Sequence, residues 1–189
     1  LIAVSTFIGA ILTEEGFFRG WLWASLERAG QRPNRVLVWS SIAFAVWHLS
    51  VVLFETDFDV PAPQVPVYIV NAAVIGAVWG LLRWISGSVI VASLSHGVWN
   101  GGAYVFFGFG TTVGALGIQE TAVYGPEVGF VGLALNLAFA AALLWWWKTR
   151  AGGARGVAHR QPFRVHELDV GDSDERQPSR EGRSTTTRS

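Results

Sequence analysis

Two adjacent carboxylates, Glu14 and Glu15, and a guanidinium, Arg19, sit inside the apolar run 1–26. His48 lies in a second apolar run, and His96 and Asn100 lie in a later one. Ionisable groups at membrane depth cost at least ~2.5–3.5 kcal/mol each on insertion scales, so a chain keeps them there only when they are paired, hydrated or used. A carboxylate with an imidazole can hold a water and take its proton. A second imidazole with an amide can donate hydrogen bonds to a carbonyl oxygen as it becomes an oxyanion. Those are the parts needed to hydrolyse a peptide bond without a covalent intermediate. No Gly-x-Ser-x-Gly elbow and no His-Glu-x-x-His zinc helix is present. The chain has no Cys, which removes disulfides, thiolate nucleophiles and Cys-ligated zinc. No cofactor is called for, although one carboxylate with two imidazoles would suit zinc, so a zinc-dependent variant stays open.

Spacing and depth bring these groups together. Glu15 and Arg19 are i,i+4 and can pair on one helix face, leaving Glu14 free to act as base. Phe44 and His48 share that spacing, as do His96 and Asn100. Counting inward from the basic ends of their runs at Leu26, Val36 and Ser88, Glu14, His48 and Asn100 are each twelve residues deep and His96 is eight. A helical rise converts this to about 18 Å and about 12 Å, so a carboxylate, two imidazoles and an amide from three helices share one level of the bilayer.

The elements that must hold them are apolar helices. Of the 189 residues, 51% are hydrophobic and only 15% charged, too apolar for an ordinary soluble domain. The expectation is an all-α, polytopic transmembrane helical bundle with about five spans: 1–26, 36–54, 65–85, 88–107 and 127–147. Gly30 and Pro33 read as stop signals after the first span. Gly76-x-x-x-Gly80 in the third suits close helix packing, and Asn71 beside it has no assigned partner. Residues 108–126 read as a Gly-rich loop or re-entrant piece. Trp145, Trp146, Trp147 and Lys148 read as an aromatic belt at a membrane surface.

Basic loops at Arg28/Arg32/Arg35, at Arg83 and from Lys148 onward alternate with loops carrying Glu55/Asp57/Asp59 and Glu120. The positive-inside rule then runs the first span from outside to inside and leaves the C-terminal end cytoplasmic. Residues 1–147 form the expected membrane domain. Residues 148–189, polar and rich in Arg, Asp, Glu and Ser/Thr, read as a disordered cytoplasmic tail in which His159 and His166 are solvated bystanders. Nine of the 14 Lys and Arg lie in that tail, and the apolar part has no basic stripe, so nucleic acid is not an expected partner. Leu1 opens in mid-run and the chain has no Met, so further helices are expected upstream.

Glu-Glu-x-x-x-Arg (Glu14, Glu15, Arg19), Phe-x-x-x-His (Phe44, His48) and His-x-x-x-Asn (His96, Asn100) occur in order on hydrophobic helices. In this the chain resembles the CPBP family, the CAAX-protease and bacteriocin-processing group also called Abi, which includes type II CAAX prenyl endopeptidases and lysostaphin-resistance proteins. The resemblance implies a glutamate-dependent intramembrane endopeptidase in a prokaryotic cell membrane, with membrane-anchored peptides or proteins as substrates. It implies that Glu14 and His48 activate the water, that His96 and Asn100 form the oxyanion site, and that Glu15 and Arg19 support them. It does not by itself imply a prenylated substrate. The rival readings are a non-catalytic membrane immunity or binding protein of the same fold, and a proton or ion pathway.

Overall fold

The computed structural model describes residue 8 and residues 10–54 and 60–153. A π-helix, Ala10–Leu22, continues into the short helix α1, Trp23–Arg28. Gly30 turns the chain with a positive φ of 73°. Helix α2 spans Pro33–Phe54, so Pro33 opens a helix rather than closing one. Proline lacks only an N–H that the first turn leaves unpaired anyway. A 3-10 turn, Ala62–Gln64, leads into α3, Val65–Ser86, which ends at Gly87 in a left-handed conformation. Ser88 caps α4, Val89–Phe107, by accepting a hydrogen bond from the Ile90 N–H at 3.2 Å.

The Gly-rich stretch after α4 is a small antiparallel hairpin, β1 (Gly108–Phe109) with β2 (Thr112–Val113), followed by a one-turn helix α5, Thr121–Tyr124. Helix α6 spans Phe130–Gly153. Residues 148–153, read from sequence as the start of the tail, therefore continue the last helix. The rest of that tail, residues 154–189, and the acidic loop 55–59 lie outside the described residues.

Among the described residues, three helices are long and apolar enough to cross a membrane: α2, α3 with its preceding turn, and α6. The other two expected spans correspond to the π-helix with α1, and to α4. Of the three long helices α3 is the most buried and α6 the least, so α3 is the central post. It packs against α2, α4 and α6. Its Gly76 and Gly80 make the expected close approach: a Cβ at Gly76 would meet the Arg19 guanidinium and the Phe44 ring at 3.2 Å, and one at Gly80 would meet Leu37 and Trp23. Ile75, Val78 and Trp79 of α3 with Ala92 of α4 form a buried apolar cluster. Outward faces carry large apolar side chains such as Val46, Leu53, Val98 and Leu135, as lipid-facing helices do.

Candidate active site

The π-helix carries the acidic motif. Its i→i+5 hydrogen bonding widens each turn, so successive side chains diverge less than on an α-helix; such helices are rare and tend to mark functional sites. Here Glu14 and Glu15 flank one imidazole, that of His96. Glu15 Oε1 accepts a hydrogen bond from His96 Nδ1 at 2.9 Å, and Glu14 Oε2 lies 3.8 Å from His96 Nε2. Glu15 Oε1 also accepts from Arg19 Nη1 at 2.9 Å, and both side chains of this pair are fully buried. The i,i+4 ion pair read from sequence thus forms, and Glu14 remains outside it. Arg19 Nη2 donates to the Gly76 carbonyl at 2.6 Å, which ties the π-helix to α3. The Arg19 guanidinium lies 4.4 Å from the centre of the Phe44 ring, a cation–π contact.

Phe-x-x-x-His on α2 is a local device. His48 Nδ1 donates to the Phe44 carbonyl one turn back at 2.9 Å, so a neutral His48 keeps its lone pair at Nε2. Phe44 itself packs between the two motifs, with ring centroids 4.3 Å from His48 and 5.9 Å from His96. Trp79 of α3 stacks on His96 at 5.4 Å with an interplanar angle of 16°. His96 and Asn100, one turn apart on α4, are both buried.

These side chains surround a cavity of about 240 Å³. Glu14, His48, His96 and Asn100 line it together, and Phe44, Trp47, Tyr68 and Ile75 complete much of its wall. Glu15 and Arg19 stand behind it. A second cavity, of about 250 Å³ and mostly apolar, adjoins Glu14 and Trp47 on the side of Thr13, Phe17 and Phe18. Among the described residues no three His, Asp or Glu side chains converge as a metal cage requires.

Sequence reasoning missed one group. Glu127 lines the cavity and is buried. Its Oε1 accepts from Trp99 Nε1 at 2.8 Å and its Oε2 from the Tyr104 hydroxyl at 3.3 Å. Asn71, unplaced from sequence, holds that segment: its Nδ2 donates to the carbonyls of Pro126 and Glu127 at 2.9 and 2.8 Å. Asn136 of α6 donates to Asn71 Oδ1 and to the Pro126 carbonyl, each at 3.0 Å. The available signals were a lone carboxylate opening an apolar run and an unexplained amide inside a span.

Searches of curated proteins and of solved structures found no match. A family model does match, over residues 1–102, which is more than half of the chain and includes all three motifs: "Type II CAAX prenyl endopeptidase Rce1-like". Helical architecture, apolar spans, ordered motifs and this match agree, and the chain belongs to the Rce1-like family of CAAX-type intramembrane proteases.

Proposed function

We propose that the protein is an endopeptidase that hydrolyses peptide bonds of membrane-anchored substrates by a glutamate-activated water. The observation that carries this is the convergence of Glu14, His48, His96 and Asn100 on one cavity. Glu14 Oε2 is buried and accepts no hydrogen bond from the described residues, which leaves it a lone pair for a water proton. His48, with Nδ1–H given to Phe44, offers Nε2 to the same water. The water oxygen attacks the scissile carbonyl carbon as its proton passes to Glu14. The carbonyl oxygen becomes an oxyanion, to which Asn100 Nδ2–H and His96 Nε2–H donate. When the C–N bond breaks, the proton held on Glu14 goes to the departing amine.

His96 Nδ1–H is committed to Glu15, so donation from Nε2 needs the imidazolium form. Glu15 and Arg19 act through His96, as positioning residues.

The test is cleavage of a library of membrane-anchored peptides by the purified, reconstituted chain, read by mass spectrometry. Glu14→Ala should lower cleavage by at least about 10²-fold, the usual reach of a positioned base. Cleavage by wild type should be indifferent to a strong chelator. Chelator-sensitive cleavage restored by added zinc would replace this mechanism with a metal-borne one. Equal cleavage by Glu14→Ala would remove Glu14 as base.

A further inference from the structure

The matched family region ends at residue 102, but the cavity wall continues through Tyr104 and Glu127. Glu127 is held from three helices. Asn71 of α3 holds its carbonyl, Asn136 of α6 holds the preceding Pro126 carbonyl, and Trp99 and Tyr104 of α4 each give a donor to its carboxylate. Such a construction fixes a carboxylate in place, and its two neutral donors supply no counter-ion to its ionised form. Among the described residues no Lys or Arg lines the cavity. Arg19 is fully buried and spends its guanidinium on Glu15 and the Gly76 carbonyl. In its ionised form, which a bound cation would favour, Glu127 adds a negative charge that no Lys or Arg of the described cavity wall cancels. The remaining wall, with Tyr68, Ala72 and Ile75, is apolar enough to cover an aliphatic stem.

We infer that Glu127 is a specificity-determining residue that receives a basic side chain, Lys or Arg, carried by the membrane-anchored substrate close to the scissile bond. The same charge disfavours a substrate acid group, including a free chain-terminal carboxylate, at this wall. This rests on the endopeptidase reading for what is bound, so the test reads binding separately from cleavage.

Matched membrane-anchored host peptides would carry Lys, norleucine or Glu at each position flanking a scanned bond, with a quencher of tryptophan fluorescence attached. Binding to the reconstituted full chain would be titrated by quenching, and products read by mass spectrometry. At the responsive position, wild type should bind the Lys peptide about tenfold more tightly than the norleucine peptide, the worth of one hydrogen bond to a charged group. The Glu peptide should bind most weakly. Glu127→Gln should bring the Lys-to-norleucine ratio to about one. Tyr104→Phe, which removes a donor but keeps the charge, should retain a ratio well above one, and keeps the test usable if Glu127→Gln fails to fold. Equal binding of Lys and norleucine peptides by wild type at every position would overturn the proposal, as would an unchanged ratio in Glu127→Gln. A Lys preference without cleavage would instead sink the protease reading and leave this one standing.

Discussion

At the scale of single residues the site is a problem in charge neutralisation. Glu15 and Arg19 are both fully buried, and removing one partner of such a pair strands the other. Glu15→Gln should therefore destabilise the protein by ~3–5 kcal/mol, while the double variant Glu15→Gln/Arg19→Met should recover a substantial part of that loss. Thermal unfolding in one detergent would measure both; a single variant as stable as wild type would show that Arg19 does not need its partner. Much of this was legible in the sequence because helical spacing is local: Glu15 with Arg19 and Phe44 with His48 are i,i+4, and the structure realises both as direct contacts. Asn100 and His96 could be placed at a common depth with Glu14 and His48 because each sits on an apolar helix. Glu127 was not legible, since its donors Trp99 and Tyr104 and its backbone clamps Asn71 and Asn136 reach it from three helices, and no short-range pattern records that.

At the scale of elements, α3 does the positioning, and its two glycines should respond differently. A Cβ at Gly80 would come within 2.5 Å of Leu37 Cδ1, the free end of a flexible side chain, and 3.3 Å from the Trp23 ring. One at Gly76 would meet Arg19 and Phe44 at the milder distance of 3.2 Å, but that guanidinium is held by two hydrogen bonds and a ring. Gly76→Ala should cost about 1–3 kcal/mol, the range for overpacking against groups that cannot yield, and Gly80→Ala should cost less. The opposite order in unfolding measurements would show that the raw clash, rather than the rigidity of the neighbour, decides. Asn71→Ala should cost about 1–3 kcal/mol, because it takes the side-chain donor from the buried Glu127 carbonyl and leaves the Pro126 carbonyl to Asn136 alone. A loss under half of that would mean Asn136 alone holds the segment. Helix existence was readable from apolar runs, but ends were not: Pro33 opens α2 instead of ending the preceding helix, and α6 runs past Trp147 to Gly153 because nothing in Lys148-Thr149-Arg150 breaks a helix. The hairpin Gly108–Val113 was read only as loop, since two-residue strands carry no periodicity.

At the scale of the whole molecule, short connections make successive helices antiparallel, so the chain has two ends with very different charge. One end gathers Arg28, Arg32, Arg35 and Arg83. Contact between Trp84 and Trp147, with ring centroids 4.3 Å apart, brings the close of α6 and hence Lys148 to that end. The other end, with the turn Ala62–Gln64, the hairpin and α5, has no Lys or Arg among its described residues. By the positive-inside rule we expect the basic end on the cytoplasmic side. Because the chain contains no Cys, a single introduced thiol reports its own side without background. Asn34→Cys and Ser86→Cys should react with a membrane-impermeant maleimide only after cells are permeabilised, whereas Ala62→Cys and Gln119→Cys should react in intact cells. The reverse pattern would turn the molecule over and put the chain after Lys148 outside. Labelling of all four from one side would break the antiparallel arrangement itself, and with it the shared depth that brings Glu14, His48 and Asn100 to one cavity.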